Sequence, residues 1–218
     1  MANALAKLDD LKSRMGWGGS TYDTLGQQLL DAATSIAEGP ACAARRLRRQ
    51  VDLVEYPSTD MPNNLSRMIT LQVAPIESIA SIKQLYEPSS DASFEAEQTL
   101  VEFDEWVIPG RPAGDARNMG VIERVASTWY GRTRCLQVIY TAGFIAPATE
   151  SIPDGAITPP EDLQQAVIDQ ATLMWNLKDR HGIEAIEFGN DAGSTKFDHK
   201  HIHPALIEAT QRLRRYRL

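Results

Sequence analysis

The apolar residues of this 218-residue chain change period twice, and that order limits the fold more than any single motif. In ALAKLDDLKSRM, Leu5, Leu8, Leu11 and Met15 recur at three- and four-residue steps, which predicts one helix stripe. Gly16, Gly18 and Gly19 end it. A second helix is predicted with Leu25, Leu29, Ala32, Ala33 and Ile36 on one face and Thr21 or Asp23 as its cap. Gly39-Pro40 breaks that pattern, and the Ala/Arg-rich ACAARRLRR reads as resumed helix.

From about Val51 to Tyr140 the period becomes two. In SRMITLQV, Ile69, Leu71 and Val73 alternate with Thr70 and Gln72. TLVEFDEWV sets Val101, Phe103 and Val107 against Glu102 and Asp104, and MGVIERV and RCLQVIY read as further strands. YPSTDMPNN, EPSSD and PGRPAGD between them are turn chemistry. Short strands with such punctuation predict an antiparallel sheet or small sandwich.

The helical period returns after YTAGF. Pro147, Pro153, Pro159 and Pro160 stiffen the next loop. Pro159 and Pro160 fall in the first turn of a helix, where a missing N–H costs nothing, and Glu161 and Asp162 favour its positive end. Leu163, Ala166, Val167, Ala171, Met174 and Trp175 form its buried stripe, with Lys178 and Arg180 at its end. EFGNDAGSTKFDHKHIH reads as a flexible stretch leading to a last helix from about Pro204, with Leu206, Ala209, Leu213 and Tyr216 on one side.

The fold class is therefore α+β. N-terminal helices (1–48) precede a β-rich region with a central antiparallel sheet or small sandwich (49–145). A loop, a long helix packing on the N-terminal helices and a flexible loop follow (146–203), then a C-terminal helix and tail (204–218). The whole reads as one compact domain plus an arm.

The formal net charge of -7 argues against a general nucleic-acid binder, which shows a basic face. Cys42 and Cys135 supply neither a disulfide framework nor a metal-ligand spacing, so a reducing compartment is expected. Lys7, Asp9, Asp10 and Lys12 interrupt the apolar run that a signal peptide needs, and no transmembrane helix is expected. His199, His201 and His203 alternate, and three imidazoles on one strand face can hold zinc. Their polar loop gives no fixed geometry, which makes a metal-dependent hydrolase the weakest reading. Glu102 and Asp104 read as surface acids, and Gly16, Gly18 and Gly19 follow no strand and so form no phosphate cradle. No catalytic, cofactor-binding or metal-ligating set is assigned. Two arginine clusters stand out: Arg45, Arg46, Arg48 and Arg49, and the chain end RLRRYRL. Each suits a solvated helix face or a docking surface. At the end, Leu213, Tyr216 and Leu218 among Arg212, Arg214, Arg215 and Arg217 suit insertion into a partner's groove.

Taken together, these segments resemble the head–tail connector, or adaptor, proteins of tailed bacteriophages, over most of the chain. LAKLDDLKSRMGW is similar to the family's opening helix, YDTLGQQLLDAATSIAE to its second, and VAPIESIASIKQLYE to a strand pair around a proline. The most specific stretch is Tyr140, Ala142, Gly143 and Phe144 followed by Pro160, Asp162, Leu163, Ala166, Val167, Trp175 and Arg180. ATQRLRRYRL is similar to the closing helix. The resemblance implies a connector-type wedge, a structural virion protein that forms a homo-oligomeric, dodecameric ring beneath the portal protein. The ring would assemble in the host cytoplasm and bridge the portal to a downstream head-completion, stopper or tail protein in the virion neck. Genomic DNA would pass through its lumen without sequence-specific binding, and no membrane takes part. Arg212, Leu213, Arg214, Arg215, Tyr216, Arg217 and Leu218 become the portal-docking candidates. Another neck, tail-completion or minor virion structural protein is the alternative.

Overall fold

A computed structural model describes residues 4–57, 67–84, 98–102, 104–109, 120–125, 127–129, 136–147, 152–177, 185–187, 194–196, 202–211 and 213. It contains helices α1 (Leu8–Met15), α2 (Asp23–Glu38), α3 (Glu161–Leu177) and α4 (Pro204–Gln211). The strands are β1 (Gln50–Glu55), β2 (Met68–Thr70), β3 (Ile76–Gln84), β4 (Gln98–Thr99), β5 (Trp106–Val107), β6 (Val121–Arg124) and β7 (Leu136–Ala142). A hairpin of β8 (Ala185–Glu187) and β9 (Ser194–Lys196) follows α3. The order helices, sheet, helices of the α+β reading holds.

Buried residues form two clusters. The helical one joins Leu5, Leu11, Leu30, Ala33, Leu163, Val167, Ala171, Leu206 and Leu213. α1 ends in a Schellman turn. The Gly16 N–H donates to Ser13 O and the Trp17 N–H to Lys12 O, with Gly16 left-handed at φ 68°. α1 then lies against α2 so closely that a Cβ on Gly26 would sit 2.7 Å from Leu8 Cδ1. The buried face of α2 is Gly26, Leu30, Ala33, Thr34 and Ala37, one position on from the predicted stripe, and Leu25 is 38 % exposed. Small residues at Gly26, Ala33 and Ala37 allow the close approach that decides this. Neither predicted cap acts: Tyr22 is the cap residue without a side-chain bond, and Asp23 pairs with Lys12 at 2.6 Å.

The second cluster lies between two antiparallel sheets, of order β1-β7-β3-β4 and β2-β6-β5. Leu136, Val138, Tyr140 and Ala142 of β7 face Ile69, Leu71, Trp106 and Ile122 across it. The alternation read in SRMITLQV matches its burial, with Ile69, Leu71 and Val73 buried. The continuous strand read in TLVEFDEWV is instead broken by a turn. The Glu105 N–H donates to Val101 O at 3.0 Å, and Glu105 Oε2 accepts the Val101 N–H at 2.9 Å. A carboxylate reaching its own backbone competes with strand pairing, and leaves Val101 56 % exposed. The stretch read as flexible carries β9 and the last residue of β8, because backbone pairing needs no apolar side-chain pattern to form.

Candidate interaction surface

The joint singled out in the sequence is where the two clusters meet. Tyr140 and Ala142 belong to the sheet cluster and Phe144 to the helical one. Between them Gly143 adopts φ +99°, and a Cβ there would overlap the Arg48 carbonyl oxygen and sit 2.7 Å from the Arg49 nitrogen. Backbone bonds clasp this crossing: Gly143 N–H to Pro75 O at 2.7 Å, Phe144 N–H to Leu47 O at 2.6 Å, and Arg49 N–H to Phe144 O at 2.9 Å. Beneath it the Tyr140 hydroxyl donates to Glu55 Oε2 at 2.6 Å and accepts from the Val73 N–H at 3.3 Å. Glu55 also accepts the Gln72 N–H at 2.9 Å. Burial, then the neighbouring Glu55 charge, push the Tyr140 phenol well above its ordinary range.

The first arginine cluster is not a helix face. Glu38 Oε1 accepts the N–H groups of Leu47 and Arg48 at 2.8 and 3.0 Å, which turns the chain back after α2 in place of a resumed helix. Arg45 is 5 % exposed. Arg48 donates to Ser35 Oγ at 2.6 Å and pairs with Glu38. Arg49 forks onto both Glu77 oxygens at 2.7 and 2.8 Å, and this bonding raises its guanidinium's affinity for its proton. Three of the four guanidinium groups are therefore held within the fold; Arg46 alone is exposed.

Of the C-terminal candidates, Leu213 is buried in the helical cluster, 5 % exposed. It anchors the end of the chain and is withdrawn as a groove-inserting side chain. Arg212, Arg214, Arg215, Tyr216, Arg217 and Leu218 lie outside the described residues, as do His199 and His201. His203 serves the fold itself. Its Nδ1 accepts the Ala205 N–H at 3.3 Å, capping α4, while its own N–H donates to the buried Gln170 Oε1 at 2.6 Å. Glu102 and Asp104 are exposed. Gly16 and Gly19 serve turns at φ 68°, with open space at each Cβ position.

Two apolar surfaces are not apparent from the sequence pattern. β1 is an edge strand, and Val51, Val54 and Tyr56 on and beside it are 57, 45 and 47 % exposed. Val54 lies opposite Ile139, which lies opposite Ser81, so one row crosses three strands on the sheet's outer side. The signal was present in QVDLVEY: Leu53 and Val54 are both apolar, so the strand has an apolar residue on each face. The other surface is a trio of rings, Trp17, Tyr22 and Trp175, with centroids 4.8 to 5.9 Å apart at one end of the helices. A groove of about 880 Å³ lies between α1 and α3, lined by Asp10, Arg14, Glu161, Asp162, Gln165 and Ile168 among others, with Arg14 paired to Asp169 at 3.1 Å. No helix among the described residues is long and apolar enough to cross a membrane.

Compared with protein-family models and with curated proteins, the chain matches none.

Proposed function

We propose that this chain is a structural assembly protein of the head–tail connector kind. Copies of it would pack side by side as a ring beneath a portal and bridge that portal to the next neck or tail protein. The observation that carries this reading is the group of exposed apolar side chains on and beside the edge strand β1, Val51, Val54 and Tyr56. Large apolar residues clustered on an edge strand mark a surface that another protein covers. The clasped joint at Gly143 adds support, because a ring closes only when each subunit holds a fixed shape. The chain end past Leu213 carries three arginines and a tyrosine from 214 to 217, a composition enriched at interface centres. The formal charge of -7 suits a lumen that lets DNA slide, since like charge repels phosphate.

The test uses the full chain mixed with portal protein and imaged by negative-stain microscopy. The double variant Val54→Lys/Tyr56→Ser should remain folded and fail to form rings. Deletion of residues 214–218 should keep ring contacts and lose the portal, with Leu213 left in place to hold the core. Rings and portal attachment that survive both changes would overturn the reading, as would turnover of a small molecule by the pure protein.

A further inference from the structure

The pair of sheets has two open sides, and these differ in charge. On the first side lie β1 and β2, each the edge strand of its sheet. They are linked where the Gln72 N–H, just past β2, donates to Glu55 of β1 at 2.9 Å. On the second side lie the opposite edges, β4 and β5. They are linked where Trp106 Nε1 of β5 donates to Leu100 O, just past β4, at 3.2 Å. Both sides expose apolar side chains: Val51, Val54, Tyr56 and Met68 on the first, Val101 and Val125 on the second. The exposed ionic groups around them are unlike. On the first side Arg67 precedes β2 and Arg46 bridges Val73 beyond its other end, against one exposed acid, Asp52. On the second side the exposed acids Glu102 and Asp104 follow Val101. Lys83 stands one strand in, opposite Thr99, and the buried Arg124 is taken up by Glu105. Arg46, Arg67, Glu102 and Asp104 make no ion pair among the described residues.

Head-to-tail packing needs two unlike surfaces that face different ways, and only such heterologous contacts build a ring. Resting on the reading of this chain as a ring subunit, we infer that the β4–β5 side of each copy docks on the β1–β2 side of the next. Val101 of one copy then meets the apolar group around Val54 of its neighbour, while Glu102 and Asp104 meet Arg67 and Arg46. The occupant of the β1 edge is thus a second copy of this chain, chosen by charge as well as by apolar area. A contact of β1 with β1 would set the surplus positive charge of that side against itself. Addition of a strand along β1 is also disfavoured. Asp52 sits at φ 51° within an irregular stretch between Gln50 and Leu53, and a bulge of this kind spoils an edge for further pairing. Side chains rather than backbone make the contact, and the charges set its register.

The experiment reads self-association of the full chain, without portal protein, by sedimentation velocity. One variant, Arg46→Glu/Arg67→Glu, makes the first side acidic. The other, Glu102→Lys/Asp104→Lys, makes the second side basic. Each alone should associate more weakly than the parent, on the order of tenfold, because every contact now sets like charges together. Mixed in equal amounts they should associate again, since each side then finds its opposite on the other variant, and that recovery shows both to be folded. Cross-linking gives a second readout. In a Cys135→Ser background, copies with Val54→Cys and copies with Val101→Cys should join to each other through a short bis-maleimide, and neither kind to itself. If a charge variant does not fold, the cross-link alone decides. Unchanged association in both variants, a mixture that stays apart, Val54→Cys copies that join to themselves, or a parent that is monomeric at every concentration would each overturn the contact. Portal binding is measured separately: if this pattern holds and portal protein is not bound, the connector reading fails and the contact stands.

Discussion

Replacing Gly143 by alanine tests the clasp between the two clusters. Two costs arise. The residue sits at φ +99°, where an L side chain is strained by about 1 to 2 kcal/mol. Its new Cβ would also overlap the Arg48 carbonyl, which is backbone and cannot rotate aside. Separating the strands enough to admit a methyl group breaks the bonds of Gly143, Phe144 and Arg49 across the crossing, each worth about 1 kcal/mol. Together these amount to about 4 to 5 kcal/mol, a large part of the roughly 5 to 15 kcal/mol that holds a domain folded. For a chain of this length the melting temperature should drop on the order of 10 °C. Gly155→Ala supplies the comparison. Gly155 is also left-handed, at φ +82°, yet nothing lies within 4 Å of its Cβ position. That variant bears the strain alone, about 1 to 2 kcal/mol. Urea unfolding of both variants against the parent reads the difference directly. Equal losses in the two would show that the close approach at Gly143 contributes nothing, and the clasp would not be what joins the clusters.

Two further outcomes follow from the buried contacts. Tyr140→Phe should cost about 2 to 3 kcal/mol at neutral pH, since it takes a bond from the buried Glu55 carboxylate. The folded phenol titrates above its unfolded value of about 10, so its contribution is complete below pH 10 and falls as the unfolded chain ionises above it. The stability gap between parent and variant should therefore shrink above pH 10, and a gap of the same size at pH 8 and pH 11 would contradict the assignment. Leu213→Ala should destabilise by about 2 to 3 kcal/mol in the same urea assay, because the side chain is buried with Leu206 and Leu163. Loss below about 0.5 kcal/mol would mean that the chain end does not anchor in the helical core.

The periodicity of the chain disclosed element types well where burial is one-sided. Ile69, Leu71 and Val73 face the sheet cluster, and Leu163, Ala166, Val167 and Ala171 face the helical one, each at the spacing its element requires. What escaped was settled by partners far along the chain. ACAARRLRR has helical composition, but Glu38 captures its N–H groups, and Arg49 finds Glu77 twenty-eight positions away. Glu55 looks like a surface acid until Tyr140, eighty-five positions on, bonds to it. The exposed Val54 was hidden for the opposite reason: an apolar residue on the outer side of a strand reads as noise in an alternating pattern. Leu213 was read in two ways, on the apolar side of the last helix with Leu206 and Ala209 and among the docking arginines, and its burial just past α4 favours the first.

The main chain passes between the helical and sheet regions along Leu47–Arg49 and again along Gly143–Phe144, and these two passages run side by side. Such an arrangement works like the rivet of a pair of shears. The relative tilt of the blades is settled by the few atoms at the pivot, and any slack there is magnified toward the tips. Natural variation in this protein should then be freest at the blade tips and least tolerated within a residue or two of Gly143, since a small shift at that pivot would misalign every distant surface at once.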